Sequence, residues 1–126
     1  MSDGYQAVII GGGPAGATAA LMLARAGWSV AVVEKTGFPR RKVCGEFVSA
    51  TTLPLLYELG VAESFLDLAG PEVRQVGVFA HDSILLSDMP RAETGGGGWG
   101  RALGREHLDT MLLRHAAEAG ATVWQP

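Results

Sequence analysis

The segment Val8-Ile9-Ile10-Gly11-Gly12-Gly13-Pro14-Ala15-Gly16 constrains this chain more than any other. An apolar, β-branched run breaks into the spacing Gly-x-Gly-x-x-Gly and continues into helix-forming residues. Each glycine of that spacing has its own physical task. Gly11 permits a sharp turn out of a strand, Gly13 removes a side chain where backbone must approach a pyrophosphate, and Gly16 lets helix and strand pack closely. A helix opening at Pro14 and Ala15 turns N–H groups and the positive end of its dipole toward phosphate oxygens. Glycine-rich turns are common, so the context decides, and here a second β-branched run closes on Glu34. A strand-end carboxylate is expected to be exposed, to accept hydrogen bonds from both ribose hydroxyls and to repel a 2′-phosphate, which argues against NADP. The competing reading is a tight turn that binds nothing, with Glu34 a solvated strand end. NAD and FAD each offer an adenosine and a pyrophosphate, and these residues leave the two open.

The rest of the chain reads as an α/β domain around that unit. Gln6–Ile10 is expected to be a buried parallel strand, Pro14–Ala26 a helix stopped by Gly27, and Ser29–Glu34 the second strand. Lys35–Glu46 is polar and broken by Gly37, Pro39 and Gly45, so it reads as a loop. A helix is expected over Ser49–Leu59, then a hairpin of Val73–Ala80 and Ile84–Leu86 about His81-Asp82-Ser83. Gly95–Gly98 reads as a flexible connector. Glu106–Ala119 is expected to be a helix with a buried stripe of Leu108, Met111, Leu112, Ala116 and Ala119, and Gly120 stops it before a third parallel strand, Ala121–Gln125. The fold expected is a Rossmann-like βαβ sheet with parallel strands and a small β-hairpin excursion, truncated where a doubly wound sheet would continue.

Length and charge narrow the function. With 126 residues there is room for one domain, spanning 1–126, and 18 glycines suit loops that lie against a ligand. A net charge of −3 gives no global field favouring nucleic acid. The single cysteine, Cys44, excludes an intrachain disulfide, and its one thiol with three scattered histidines makes no metal site. No apolar stretch reaches ~18 residues and the start lacks a signal-peptide pattern, so a soluble, cytoplasmic chain is expected.

Two further segments separate the dinucleotides. Phe38-Pro39-Arg40-Arg41-Lys42-Val43-Cys44-Gly45-Glu46 resembles the stretch after the second strand in the flavoprotein monooxygenase superfamily, in particular its geranylgeranyl-reductase-like and flavin-halogenase-like branches. Gly104-Arg105-Glu106-His107-Leu108-Asp109 is similar to a later motif of the same families, and the three motifs occur in the expected order from Ala7 to Val123. The resemblance implies FAD as cofactor, held by Gly11, Gly13, Pro14, Ala15, Gly16, Glu34, Lys35, Arg41, Cys44, Gly45 and Arg105. Positive charge in the loop suits a doubly anionic pyrophosphate, with Arg41 favoured over Arg40 or Lys42 because not all three can converge. Arg105 at a helix mouth helps an anion and opposes the helix dipole, which favours a ligand role. Cys44 is a candidate for chemistry beside the flavin; the alternative is a small inert thiol.

The same resemblance implies a flavin-dependent oxidoreductase acting on a small molecule, with NAD(P)H or another reductant. It is either a reductase of an alkene or isoprenoid, with peripheral membrane contact for a lipid substrate, or an aromatic hydroxylase. A later glycine-aspartate motif and the substrate-covering sheet of such enzymes are absent from this sequence, so the chain alone is expected to be incomplete and inactive. The reading from another class is a non-catalytic adenine-dinucleotide-binding module or inactive fragment.

Overall fold

The computed structural model describes residues 4–94 and 96–126. In chain order its elements begin with β1 (Ala7–Ile10), α1 (Pro14–Arg25), β2 (Val30–Val33) and β3 (Phe47–Val48). After a 3-10 turn at Ala50–Thr52 come α2 (Leu53–Glu58), α3 (Ala62–Leu68), β4 (Gln75–Ala80) and β5 (Ser83–Asp88). The last are β6 (Arg91–Ala92), β7 (Gly98–Trp99), β8 (Arg101–Ala102), α4 (Arg105–Glu118) and β9 (Thr122–Trp124). They fall into two compact units, one formed by the chain up to Cys44 together with Gly104–Pro126, the other by Gly45–Leu103.

The first unit is the α/β part. Its parallel sheet has the order β1-β2-β9, with Ala7 opposite Val30 and Val32 opposite Val123. That is the order of one half of a doubly wound sheet, in which each crossover is a right-handed βαβ connection. The central strand is all aliphatic, and Val30, Ala31 and Val32 are buried. Helices α1 and α4 pack on each other and on the sheet through Ala17, Ala20, Leu21, Met111, Leu112 and Ala116. Both helices end in the same way: Gly27 and Gly120 take positive φ, and backbone bonds Trp28 N–H to Leu23 C=O and Ala121 N–H to Ala116 C=O close the last turns.

Two expectations for this unit need correction. The first strand is covered on one face only, since Val8 is 56 % and Ile10 81 % exposed while Ala7 and Ile9 are half-buried. The buried stripe of α4 is rotated from the expected one: Asp109 and Leu113 lie inside it, whereas Leu108 and Ala119 are half-buried. A carboxylate at Asp109 was outside a stripe drawn through apolar residues, and its burial depends on partners that another segment brings.

In the second unit, β3 pairs with β8, β4 with β5 and β6 with β7, all antiparallel. The hairpin turns at His81 and Asp82, with Ala80 opposite Ser83. The expected single helix over Ser49–Leu59 is instead a 3-10 turn at Ala50–Thr52 followed by α2, because Pro54 lacks an N–H and fits only a first helical turn. Helix α3 was not anticipated, although Val61, Ala62 and Phe65, all buried, have helical spacing. Of the expected connector Gly95–Gly98, Gly98 belongs to a short strand. Gly98 and Trp99 form β7 against β6, and Trp99 is stacked by the guanidinium groups of Arg74 and Arg91 at 4.3 and 4.9 Å. Gly95 of that connector lies outside the described residues.

Candidate nucleotide site

The site belongs to the first unit and is built where β1 runs into α1. Gly11 has φ +103, a conformation that L side chains rarely adopt, and its N–H donates to Val33 C=O at 2.8 Å. A Cβ at Gly16 would overlap the Gly11 carbonyl oxygen, so the helix can approach the turn only with glycine there. Pro14 occupies the first turn, and no side chain caps the N-terminus of α1. The amides of that turn are therefore left to a ligand or to water.

Glu34 is buried, against the expectation of an exposed strand end. Its Oε2 accepts the Gly12 N–H at 2.7 Å and its Oε1 the Thr36 N–H at 2.9 Å. Burial pushes its carboxyl pKa up, but those two N–H donors and the charges of Arg40 and Lys42 outweigh burial and leave it below the usual 4.5. Glu34 is thus ionised and anchored at neutral pH.

Two guanidinium groups stand over Gly13. A Cβ on Gly13 would lie 3.8 Å from Arg105 Nη2 and 3.9 Å from Arg40 Nη2, with no closer neighbour. Arg40 is drawn in, its side chain only 11 % exposed, with Nη2 at 3.6 Å from both Glu34 Oε2 and Asp109 Oδ2. Its Nε and Nη1 are buried and have no hydrogen-bond partner among the described residues. Arg105 donates from Nε and Nη2 to the two oxygens of Asp109 at 2.7 and 3.0 Å. Those bonds, against burial and with a further hydrogen bond to Cys44, raise the Arg105 pKa beyond its ordinary value, so the group stays charged.

The other expected residues are placed differently. Arg41 is turned out, its side chain 93 % exposed and paired with Glu106 at 3.1 Å. Lys35 and Cys44 are exposed, Cys44 reaching Arg105, and Gly45 belongs to the second unit. Sequence reasoning passed over Gly12 and Asp109 and ranked Arg40 low. The Arg105–Asp109 spacing of four on a helix was the available signal for Asp109. The middle glycine of a triplet carried none, since its part is a backbone bond to a distant side chain.

Residues 4–125 match the family model described as "FAD binding domain". The chain belongs to this FAD-binding family. A pyrrole-2-carbonyl carrier-protein chlorinase of Pseudomonas fluorescens is 37 % identical over 144 residues, which cover 99 % of this chain and 32 % of that protein. The structure of a myxobacterial FAD-dependent chondrochloren halogenase matches with a TM-score of 0.80 and 25 % identity, over 96 % of this chain and 28 % of that one. A geranylgeranyl bacteriochlorophyll reductase-like protein of Thermoplasma acidophilum matches with a TM-score of 0.75 and 28 % identity, over 96 % and 30 % respectively. The FAD-binding domain thus spans about a third of the relatives' length. Halogenase-like and geranylgeranyl-reductase-like proteins, both expected from the loop and helix motifs, are among its neighbours, and FAD is its cofactor.

The residues present fit the adenosine diphosphate half of FAD. Gly13 has no side chain where two guanidinium groups converge, Arg40 has two buried guanidinium nitrogens without acceptors among the described residues, and Glu34 is a fixed anion one strand away. Among the described residues no group of three His, Cys, Asp or Glu side chains is placed to hold a metal ion, and no helix is long and apolar enough to cross a membrane.

Proposed function

We propose that this chain is the adenosine-diphosphate-holding portion of a flavin-dependent oxidoreductase that either reduces an isoprenoid alkene or hydroxylates an aromatic substrate. The observation that carries the reading is the pair of guanidinium groups over Gly13, which has no side chain, beside the anchored carboxylate of Glu34. Bound flavin supplies the redox chemistry, either hydride transfer or activation of oxygen. The chain's own residues bind and orient. Gly11, Pro14, Ala15 and Gly16 shape the turn, Glu34 takes the ribose hydroxyls, and Arg105 and Arg40 meet the diphosphate, with Cys44 and Lys35 at its margin.

NAD(P)H is the natural reductant for such an enzyme, and Glu34 directs a 2′-phosphorylated form away from this site. A small-molecule substrate and further chain complete the enzyme, and a lipid substrate would bring it to a membrane surface from a reducing cytoplasm, to which a single cysteine is suited. Purification of the complete protein tests the reading. A yellow preparation that releases flavin absorbance on denaturation supports the oxidoreductase, whereas a colourless protein that binds ADP alone supports a non-catalytic module. Incubation of the reduced holoenzyme with an isoprenoid alkene without oxygen, and with an aromatic substrate in air, separates the two activities.

A further inference from the structure

Asp109 is fully buried on α4, in a stripe otherwise built from Met111, Leu112, Leu113 and Ala116. A buried carboxylate is a weak device for stability alone, because well-packed apolar residues commonly replace a buried ion pair at no loss. Its contacts indicate another use. Both oxygens accept from Arg105, a two-pronged geometry that fixes the guanidinium plane as well as its position. Two of the five guanidinium N–H groups are consumed in this way, leaving three for Cys44 and for a ligand. The Nη2 bound to Asp109 at 3.0 Å is the same atom that stands 3.8 Å from a Cβ position on Gly13. The same oxygen, Asp109 Oδ2, is also 3.6 Å from Arg40 Nη2, the second guanidinium over Gly13.

We propose that Asp109 is a positioning residue for diphosphate recognition: it holds the guanidinium groups of Arg105 and Arg40 over Gly13 before the ligand arrives. The inference rests on the nucleotide reading above and adds to it the residue that presets the donors. Without Asp109, two like charges near one buried spot would separate, and the diphosphate would have to gather them on binding. Preset donors spare that reorganisation. Loss of Asp109 therefore weakens binding of the diphosphate and leaves the nucleoside contacts, made through Glu34, nearly unchanged.

The test compares ADP with adenosine, by calorimetry for ADP and ligand-observed NMR for adenosine, in the parent, Asp109→Asn, Arg105→Lys and the double variant. Asp109→Asn is expected to raise the ADP dissociation constant about ten- to hundredfold, the scale of one or two charge-assisted hydrogen bonds. Its adenosine constant should change by less than about threefold, a contrast that general loosening of the fold does not produce. In the Arg105→Lys background, adding Asp109→Asn should cost clearly less than it does in the parent, since only its hold on Arg40 is left to lose. Should Asp109→Asn not fold, Arg105→Lys alone carries the test, because lysine cannot bridge both carboxylate oxygens and must lose ADP selectively. An unchanged ratio of ADP to adenosine affinity in the variants, with a discriminating parent, overturns the role of Asp109. A parent that does not prefer ADP to adenosine overturns the nucleotide reading itself and this inference with it.

Discussion

The Gly12 N–H donates a 2.7 Å hydrogen bond to Glu34 Oε2, tying the glycine turn after β1 to the end of β2 across 22 residues of sequence. The bond makes Glu34 a structural member of the turn as well as the candidate ribose acceptor. It also explains why the carboxylate is buried when a strand end would ordinarily be solvated. The two tasks are compatible because each carboxylate oxygen carries two acceptor sites, and the Gly12 and Thr36 amides use one on each.

Gly13→Ala should separate binding from folding. The added Cβ meets nothing closer than 3.8 Å, and Gly13 already has the ordinary φ of −70°, so stability should stay within about 1 kcal/mol of the parent. The same methyl fills the diphosphate approach, and ADP affinity should fall at least about tenfold. Thermal unfolding alongside calorimetry checks both halves. Unimpaired ADP binding would remove Gly13 from the site.

Gly16→Ala should do the opposite kind of damage. Its Cβ would collide with the Gly11 carbonyl, a backbone atom that cannot move without opening the turn. Overpacking of this sort costs about 1–3 kcal/mol or more. Urea unfolding of the variant should show a lowered midpoint before any ligand is added.

Glu34 also predicts the shape of acid unfolding. Its folded pKa lies below the ordinary 4.5, so its contribution to stability is full above that value and is lost as pH falls through the folded pKa. Glu34→Gln should abolish that part of the pH dependence while other paired carboxylates, such as Glu72 beside Arg74, keep theirs. The measurement is the difference in urea midpoint between parent and variant from about pH 6 to pH 3. A difference that does not narrow toward acid would contradict the ionised, anchored state. Glu34→Ala, which strands the Gly12 and Thr36 amides, should cost about 1–3 kcal/mol of stability besides weakening ADP by a similar amount.

The two neighbouring arginines should behave unequally. Arg40→Ala removes a buried guanidinium above Gly13 and should weaken ADP at least about tenfold. Arg41→Ala removes a side chain that is 93 % exposed and paired with Glu106, and its effect should stay within about threefold. Equal losses would mean that the loop rearranges on binding.

The unit β1–α1–β2 was legible because its signals are local. Gly11 ends a strand, Pro14 starts a helix and Gly27 stops it, each through its own backbone preference. The end of α4 at Gly120 and the start of β9 were readable for the same reason. The short pairings of β3 with β8 and β6 with β7 were not, since two-residue strands are set by a partner far along the chain and carry no period of their own. In the site, the glycine spacing and Glu34 were visible as a motif. The choice of Arg40 over Arg41 was not, because it depends on the buried oxygens of Glu34 and Asp109 rather than on the loop's composition.

Calorimetric titration with ADP and with 2′-phosphoadenosine 5′-diphosphate tests the central claim most directly. Both ligands present the same adenine and diphosphate, and they differ only in the group that would stand against Glu34. The anchored carboxylate at the end of β2, with two arginines over Gly13, predicts that ADP binds and that the 2′-phosphate weakens binding at least about tenfold, which is ~1.4 kcal/mol. Equal affinity for the two, or no binding of either, would contradict the placement of the adenosine diphosphate of FAD at this turn.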